Sequence, residues 1–185
     1  VEASSPYGRS TQYGMNAEYD WQGQGGWWRQ LGLSYTRRIG DRVSLSIKPS
    51  WLDYRDPQAW YGKADSASAA TYGTRYVFAN LHASELRLAM RLNYFFSSKM
   101  SLEVYAEPFA AAGRYYDLGE LSAAKSDIIR RYGADGTTIA FQPDSNQYRV
   151  TDGGYSFALG NRDYGDRSFR SNVVLRWEFA RGSTL

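Results

Sequence analysis

Cysteine is absent from the 185 residues, so no disulfide framework holds this chain together. No apolar run approaches the ~20 residues that a spanning helix needs, and a mean hydropathy of −0.57 argues against a helical membrane protein. An excess of one charge is missing as well: 22 basic against 19 acidic residues leave a net +3, too balanced to indicate a nucleic-acid partner. No phosphate loop, zinc-ligand spacing or dinucleotide fingerprint is present. Histidine occurs once, at His82.

What is abundant is aromatic. Tyr, Trp and Phe make up 16% of the chain, and they sit in segments that alternate with a period of two. Ser84–Phe96 is the clearest. Leu86, Leu88, Met90, Leu92 and Tyr94 share one face; Glu85, Arg87, Ala89, Arg91 and Asn93 share the other. An unbroken apolar row backed by charges of both signs is the pattern of a transmembrane β-strand, lipid on one side and a polar interior on the other. Five further segments alternate in the same way: Gln12–Trp21, Trp27–Ile39, Arg42–Leu52, Lys99–Ala112 and Ser168–Ala180. Pro49 donates no ladder hydrogen bond and marks an interruption near the end of its strand.

The connections predict an orientation. Gly40-Asp41 and Ser97-Ser98 are short; Asp53–Ala83 and Gly113–Arg167 are long, and bacterial barrels keep short turns on the periplasmic side. Asp53–Ala70 reads as a polar loop and Tyr72–Ala79 as a short hairpin arm. Within Gly113–Arg167, Asp117 and Glu120 resemble an N-cap and its partner. Leu121, Lys125, Ile128 and Tyr132 then follow helical spacing, with Gly133 as the stop. Thr138–Phe141, Tyr148–Thr151 and Tyr155–Leu159 read as short strands of an extracellular flap. The expected fold is thus all-β: part of one antiparallel up-and-down transmembrane barrel over residues 1–185, with long outer loops and one short helix. Six strands leave open edges, which lipid does not tolerate, so further strands are expected from elsewhere. The opening Val-Glu-Ala-Ser-Ser-Pro has no signal-peptide pattern, and an exported barrel needs one, so a signal is expected upstream.

The C-terminal block Tyr164–Phe179, with Arg176-Trp177-Glu178 inside it, followed by Gly182-Ser183-Thr184-Leu185, resembles a signature of bacterial outer-membrane family 5916 of domains of unknown function (DUF). Leu92–Phe96 with Ser101–Phe109, and Gly113–Leu121, are similar to other blocks of that family. The chain departs from it at Tyr164-Gly165-Asp166, where an Asp-Phe-Asn-like run is usual. The resemblance implies an N-terminal domain similar to family-9 carbohydrate-binding modules, absent here, and a barrel that continues past Gly182–Leu185. It implies a bacterial outer-membrane location and a link to glycans, but no activity.

Glu85, Arg87, Arg91, Glu103, Glu107, Arg176 and Glu178 are the candidate lumen-lining residues. Paired charges filling a barrel interior account for them first, a pore lining or solute site second. Trp27, Trp28, Trp51, Trp60, Tyr61 and Tyr76 lie at strand ends or in outer loops. Most fit an interfacial girdle, while Trp60 and Tyr61, placed mid-loop, are the candidate glycan or partner contacts. Asp144, Asp152, Asp163 and Asp166 have the chemistry but not the spacing of a calcium site. His82 has Ser84 two residues away but no acid to complete a catalytic set, and Glu103 and Glu107 would stand ~13 Å apart by strand rise, too far for glycosidase geometry. No cofactor or metal is expected. The function expected is a non-enzymatic outer-membrane channel or surface anchor linked to glycans. A structural subunit of a surface assembly is the alternative, with other outer-membrane chains as partners.

Overall fold

The computed structural model describes residues 1–6, 8–65, 69–180 and 183–184. Its main sheet is antiparallel and nine-stranded. It comprises β1 (Glu2–Ser4), β2 (Thr11–Gln22), β3 (Gly26–Ile39), β4 (Val43–Asp65), β5 (Thr74–Ser97), β6 (Met100–Leu121), β7 (Ile129–Arg131), β11 (Tyr164–Ala180) and β12 (Ser183–Thr184). The order is β1-β2-β3-β4-β5-β6-β11-β12, with β7 on the far end of β6. A second sheet joins β8 (Thr137–Gln142), β9 (Gln147–Asp152) and β10 (Tyr155–Gly160). The six long strands are the six alternating segments, and the three flap strands fall where their composition places them. Among the described residues the main sheet is open: β2 and β11 have only β1 and β12, short strands, on their outer sides.

Register carries the alternation across the whole sheet. Ile47 pairs Tyr35 and Met90; Met90 in turn pairs Ala106. Leu45, Leu92, Val104 and Val173 form another row. Because directly opposed residues share a face, the apolar side chains of β2–β6 and β11 form one continuous band. Its members are large and uncovered: Tyr13 is 64% exposed, Val173 64% and Phe169 66%. The other face carries Lys48, Arg87, Arg91, Glu107 and Arg170, with Ala89 opposite Lys48 and Glu107 opposite Arg170.

Two expectations are corrected. Asp53–Ala70 is not a loop over its first thirteen positions: β4 continues to Asp65 and pairs β5 down to Thr74, so the hairpin arm at Tyr72–Ala79 is the start of β5. The signal is hidden because β4 bulges between Asp56 and Ala59 and again between Trp60 and Gly62. Each extra residue flips the following side chains to the opposite face. The helix after Asp117 is also absent. β6 runs on to Leu121, and Gly119, Glu120 and Leu121 pair Arg131, Arg130 and Ile129 of β7. Among the described residues the only helical pieces are three short 3-10 turns.

The buried core lies at one end. β5 alternates without interruption from Thr74 to Phe95 on both its pairings' β5 side, so Val77, Ala79, Leu81 and Ala83 lie on the face that carries Glu85 and Arg87. Val77 and Ala79 pack with Tyr61, Leu118 and Tyr132 and with Val150, Phe157 and Leu159 of the small sheet. The flap therefore folds over the end of the polar face, not away from it.

Candidate functional site

The charged face comes first. Tyr105 donates its hydroxyl to Glu107 Oε2 at 2.5 Å, and Glu107 is buried. Arg91 lies over the Tyr105 ring at 5.2 Å and Arg87 over Phe109 at 5.5 Å. Arg176 stands 3.5 Å from Glu103, one step diagonally along β11. Glu85 sits opposite Leu52 and Ala111, while Glu178 lies at the far end opposite Thr184. The fold thus brings most of these residues to one surface, where a cavity of about 580 Å³ is lined by Ser46, Lys48, Arg87, Arg91, Tyr105 and Glu107. Lys48 and Arg170 belong to the same rows, and a register argument would have found them.

Trp60 and Tyr61 separate. Both lie inside β4. Tyr61 is 1% exposed and donates its hydroxyl to Gly160 O at 2.6 Å, which seals it from glycan or partner. Burial, with the Tyr148 charge second, pushes its pKa up to about 12. Trp60 faces out, against Phe78 and Tyr76 at ring separations of 5.3 and 6.4 Å.

An ion network holds the flap. Arg75 donates to Glu120 Oε2 at 2.6 Å and to Asp152 Oδ2 at 2.9 Å. Arg130 donates to Glu120 at 3.1 Å and to both oxygens of Asp152 at 3.0 Å. The Tyr132 hydroxyl donates to Glu120 at 3.2 Å. The hydrogen bond from Arg130 chiefly holds the Asp152 carboxyl below the usual carboxylate range, and Arg75 adds to it against the opposing effect of burial. Burial works against the Arg75 charge, yet its bonds to the two carboxylates outweigh that and raise its pKa. Burial also raises that of Tyr132. The loop carboxylates do not gather: Asp152 is engaged here, Asp163 accepts the Tyr115 N–H at 2.7 Å, and among the described residues no group of three or more ligating side chains forms a metal site.

The chain matches no known protein family, curated protein or solved structure.

A third cluster lies on the opposite face, at the rim of the apolar band. Trp27, Arg55, His82 and Arg114 occupy one row across β3–β6, and Arg29, Asp53, Ser84 and Ala112 the next. Asp53 is buried and takes Arg29 at 2.8 Å and His82 Nε2 at 3.0 Å. The fold thus gives His82 the acid that sequence spacing could not show, although Asp53 divides itself between the imidazole and Arg29. Arg29 also covers the Trp27 and Trp51 rings at 5.1 and 5.0 Å, and Trp27 meets the His82 ring edge-on at 5.8 Å. Beside this row opens a cleft of about 510 Å³ with His82, Arg114 and Tyr116 on the main sheet and Phe141 and Tyr148 on the flap.

Proposed function

We propose that the chain is part of a β-barrel in a bacterial outer membrane, where it anchors a folded cap over one end of a charged interior. The band of exposed apolar side chains, in register across six strands, carries this reading. A patch of that extent is a liability in water and a requirement in lipid. On β4 it runs from Val43 to Trp51, close to the roughly nine to eleven residues a tilted membrane strand needs. Aromatic side chains stand at both borders: Trp21, Trp27 and Trp51 at one, Tyr94, Phe96, Trp177 and Phe179 at the other. They fit the interfacial girdles of barrels. The resemblance to DUF family 5916 agrees in location and adds a link to glycans.

In this reading the free lengths of β2 and β11 are completed by further strands, since unpaired backbone does not persist in lipid. The interior is a channel or a packed anchor, and no chemistry is required of it. The test is the mass and migration of the protein from native outer membranes. Heat-modifiable migration in detergent gels, with a mass well above 21.0 kDa, is the expected result. A chain released by salt or carbonate, without heat modifiability, would overturn the membrane reading.

A further inference from the structure

We infer that the rim row formed by Arg55, His82 and Arg114 is a binding site for the phosphorylated sugar headgroup of a membrane glycolipid. This deepens the proposed function and rests on it. Four observations meet at this place. First, the register sets Arg55, His82 and Arg114 side by side on β4, β5 and β6, within about 10 Å at ordinary strand spacing. Second, the charge is unspent. Among the described residues neither Arg55 nor Arg114 has an acidic partner within ion-pair distance, and Arg55 Nε is buried with no hydrogen-bond partner. Its guanidinium stands 5.9 Å from the Tyr116 ring. The Nε–H itself is sealed, so a phosphate would meet half-buried Arg55 through the rest of its guanidinium, whose charge and fork geometry suit phosphate oxygens. The one acid of these two rows, Asp53, is already taken by Arg29 and His82.

Third, the adjoining cleft has aromatic walls at Tyr116, Phe141 and Tyr148, and such rings stack on the apolar faces of sugars. Its two carboxylates take only neutral donors, Asp117 from Asn80 Nδ2 at 2.8 Å and Asp163 from a backbone N–H, so they suit sugar hydroxyls in the cleft while the phosphate belongs at the arginine row. Fourth, the site sits at the border of the apolar band. Trp51, Leu86 and Ala110 lie two rows below Arg55, His82 and Arg114. An amphiphile with phosphate and sugar at the top and acyl chains below matches this order of surfaces; a free sugar phosphate matches only its upper part.

The experiment uses the protein as extracted from native outer membranes, with the strands that complete its edges, in phosphatidylcholine nanodiscs with and without a diphosphorylated acylated disaccharide lipid, and counts bound lipid by native mass spectrometry. Saturable retention of the glycolipid is expected. Arg114 is exposed, so Arg114→Gln leaves folding intact and weakens retention several-fold. Arg55→Gln with Arg114→Gln weakens it on the order of tenfold or more, the loss of two charge-assisted contacts. Arg38→Gln with Arg42→Gln, at the opposite end of the sheet, leaves it unchanged. Equal retention by parent and Arg114→Gln would overturn the inference, as would no preference for the glycolipid in a chain that enters the bilayer. Displacement by glucose 6-phosphate at equal concentration would overturn its lipid part. Failure to enter the bilayer would instead sink the membrane reading beneath it.

Discussion

Arg75 shows how much rests on single residues in the cap. It touches Glu120 on β6, Asp152 on β9 and the face of Phe157 on β10, the ring centroid 5.0 Å away. Its removal leaves buried Glu120 and half-buried Asp152 short of a cation, a loss of about 3 kcal/mol for a pair of this kind. Arg75→Leu is therefore expected to free the segment between β6 and β11, read as rapid proteolytic cleavage there while the long strands stay protected. The pH dependence has a definite sign. Asp152 is depressed in the folded state, so its contribution is complete above the ordinary carboxyl value of about 3.9 and is lost as pH falls through the lower folded value. Tyr61 is raised to about 12. Its contribution is complete below about pH 10 and lost as pH climbs toward 12. Amide protection across β8–β10, taken relative to the unfolded exchange rate at each pH, should thus fall at both extremes, the alkaline limb moving in Tyr61→Phe. None of this network is legible in the sequence. Its members lie 45 and 77 residues apart, and each reads locally as an ordinary solvated charge.

Elements were legible in proportion to the regularity of their alternation. β5 between Ser84 and Phe95 declares both its faces because neither bulge nor Gly interrupts it. The outer half of β4 does not, since two bulges break the period. The helical spacing of Leu121, Lys125, Ile128 and Tyr132 is coincidence: Leu118 and Tyr132 are buried in the core, and Lys125 has a positive φ of 61°, incompatible with a helix. The extension of β6 depends on a close approach at Gly119. A Cβ there would stand 2.5 Å from the Arg130 carbonyl oxygen. Gly119→Val should therefore detach β7, which amide exchange at Ile129–Arg131 would report, and leave the pairing of β6 with β11 intact. The candidate charges on β5, β6 and β11 were legible as a face, whereas the rim cluster was not, because it exists only once four strands are in register.

At the scale of the whole molecule the two faces make opposite demands on a new charge. Leu88 lies mid-band opposite Pro49, and Leu88→Arg puts a cation on the proposed lipid side at a cost of about 2–4 kcal/mol. Ala89 lies opposite Lys48, on the polar face. Ala89→Glu places a carboxylate there and is expected to be tolerated. The yield of heat-modifiable protein in native outer membranes separates them: a severe loss for Leu88→Arg and little change for Ala89→Glu. If the two fared alike, the assignment of the faces would fail. β4 and β5 also run from the band into the cap as one paired hairpin, its ladder shifting register only at the two β4 bulges. A pull on the cap would draw β4 and β5 the same way, so the load would fall lengthwise on their pairing with β3 and β6, where many bonds share it at once. On the membrane reading proposed above, that pairing is where tension between the cap and the lipid layer would be carried.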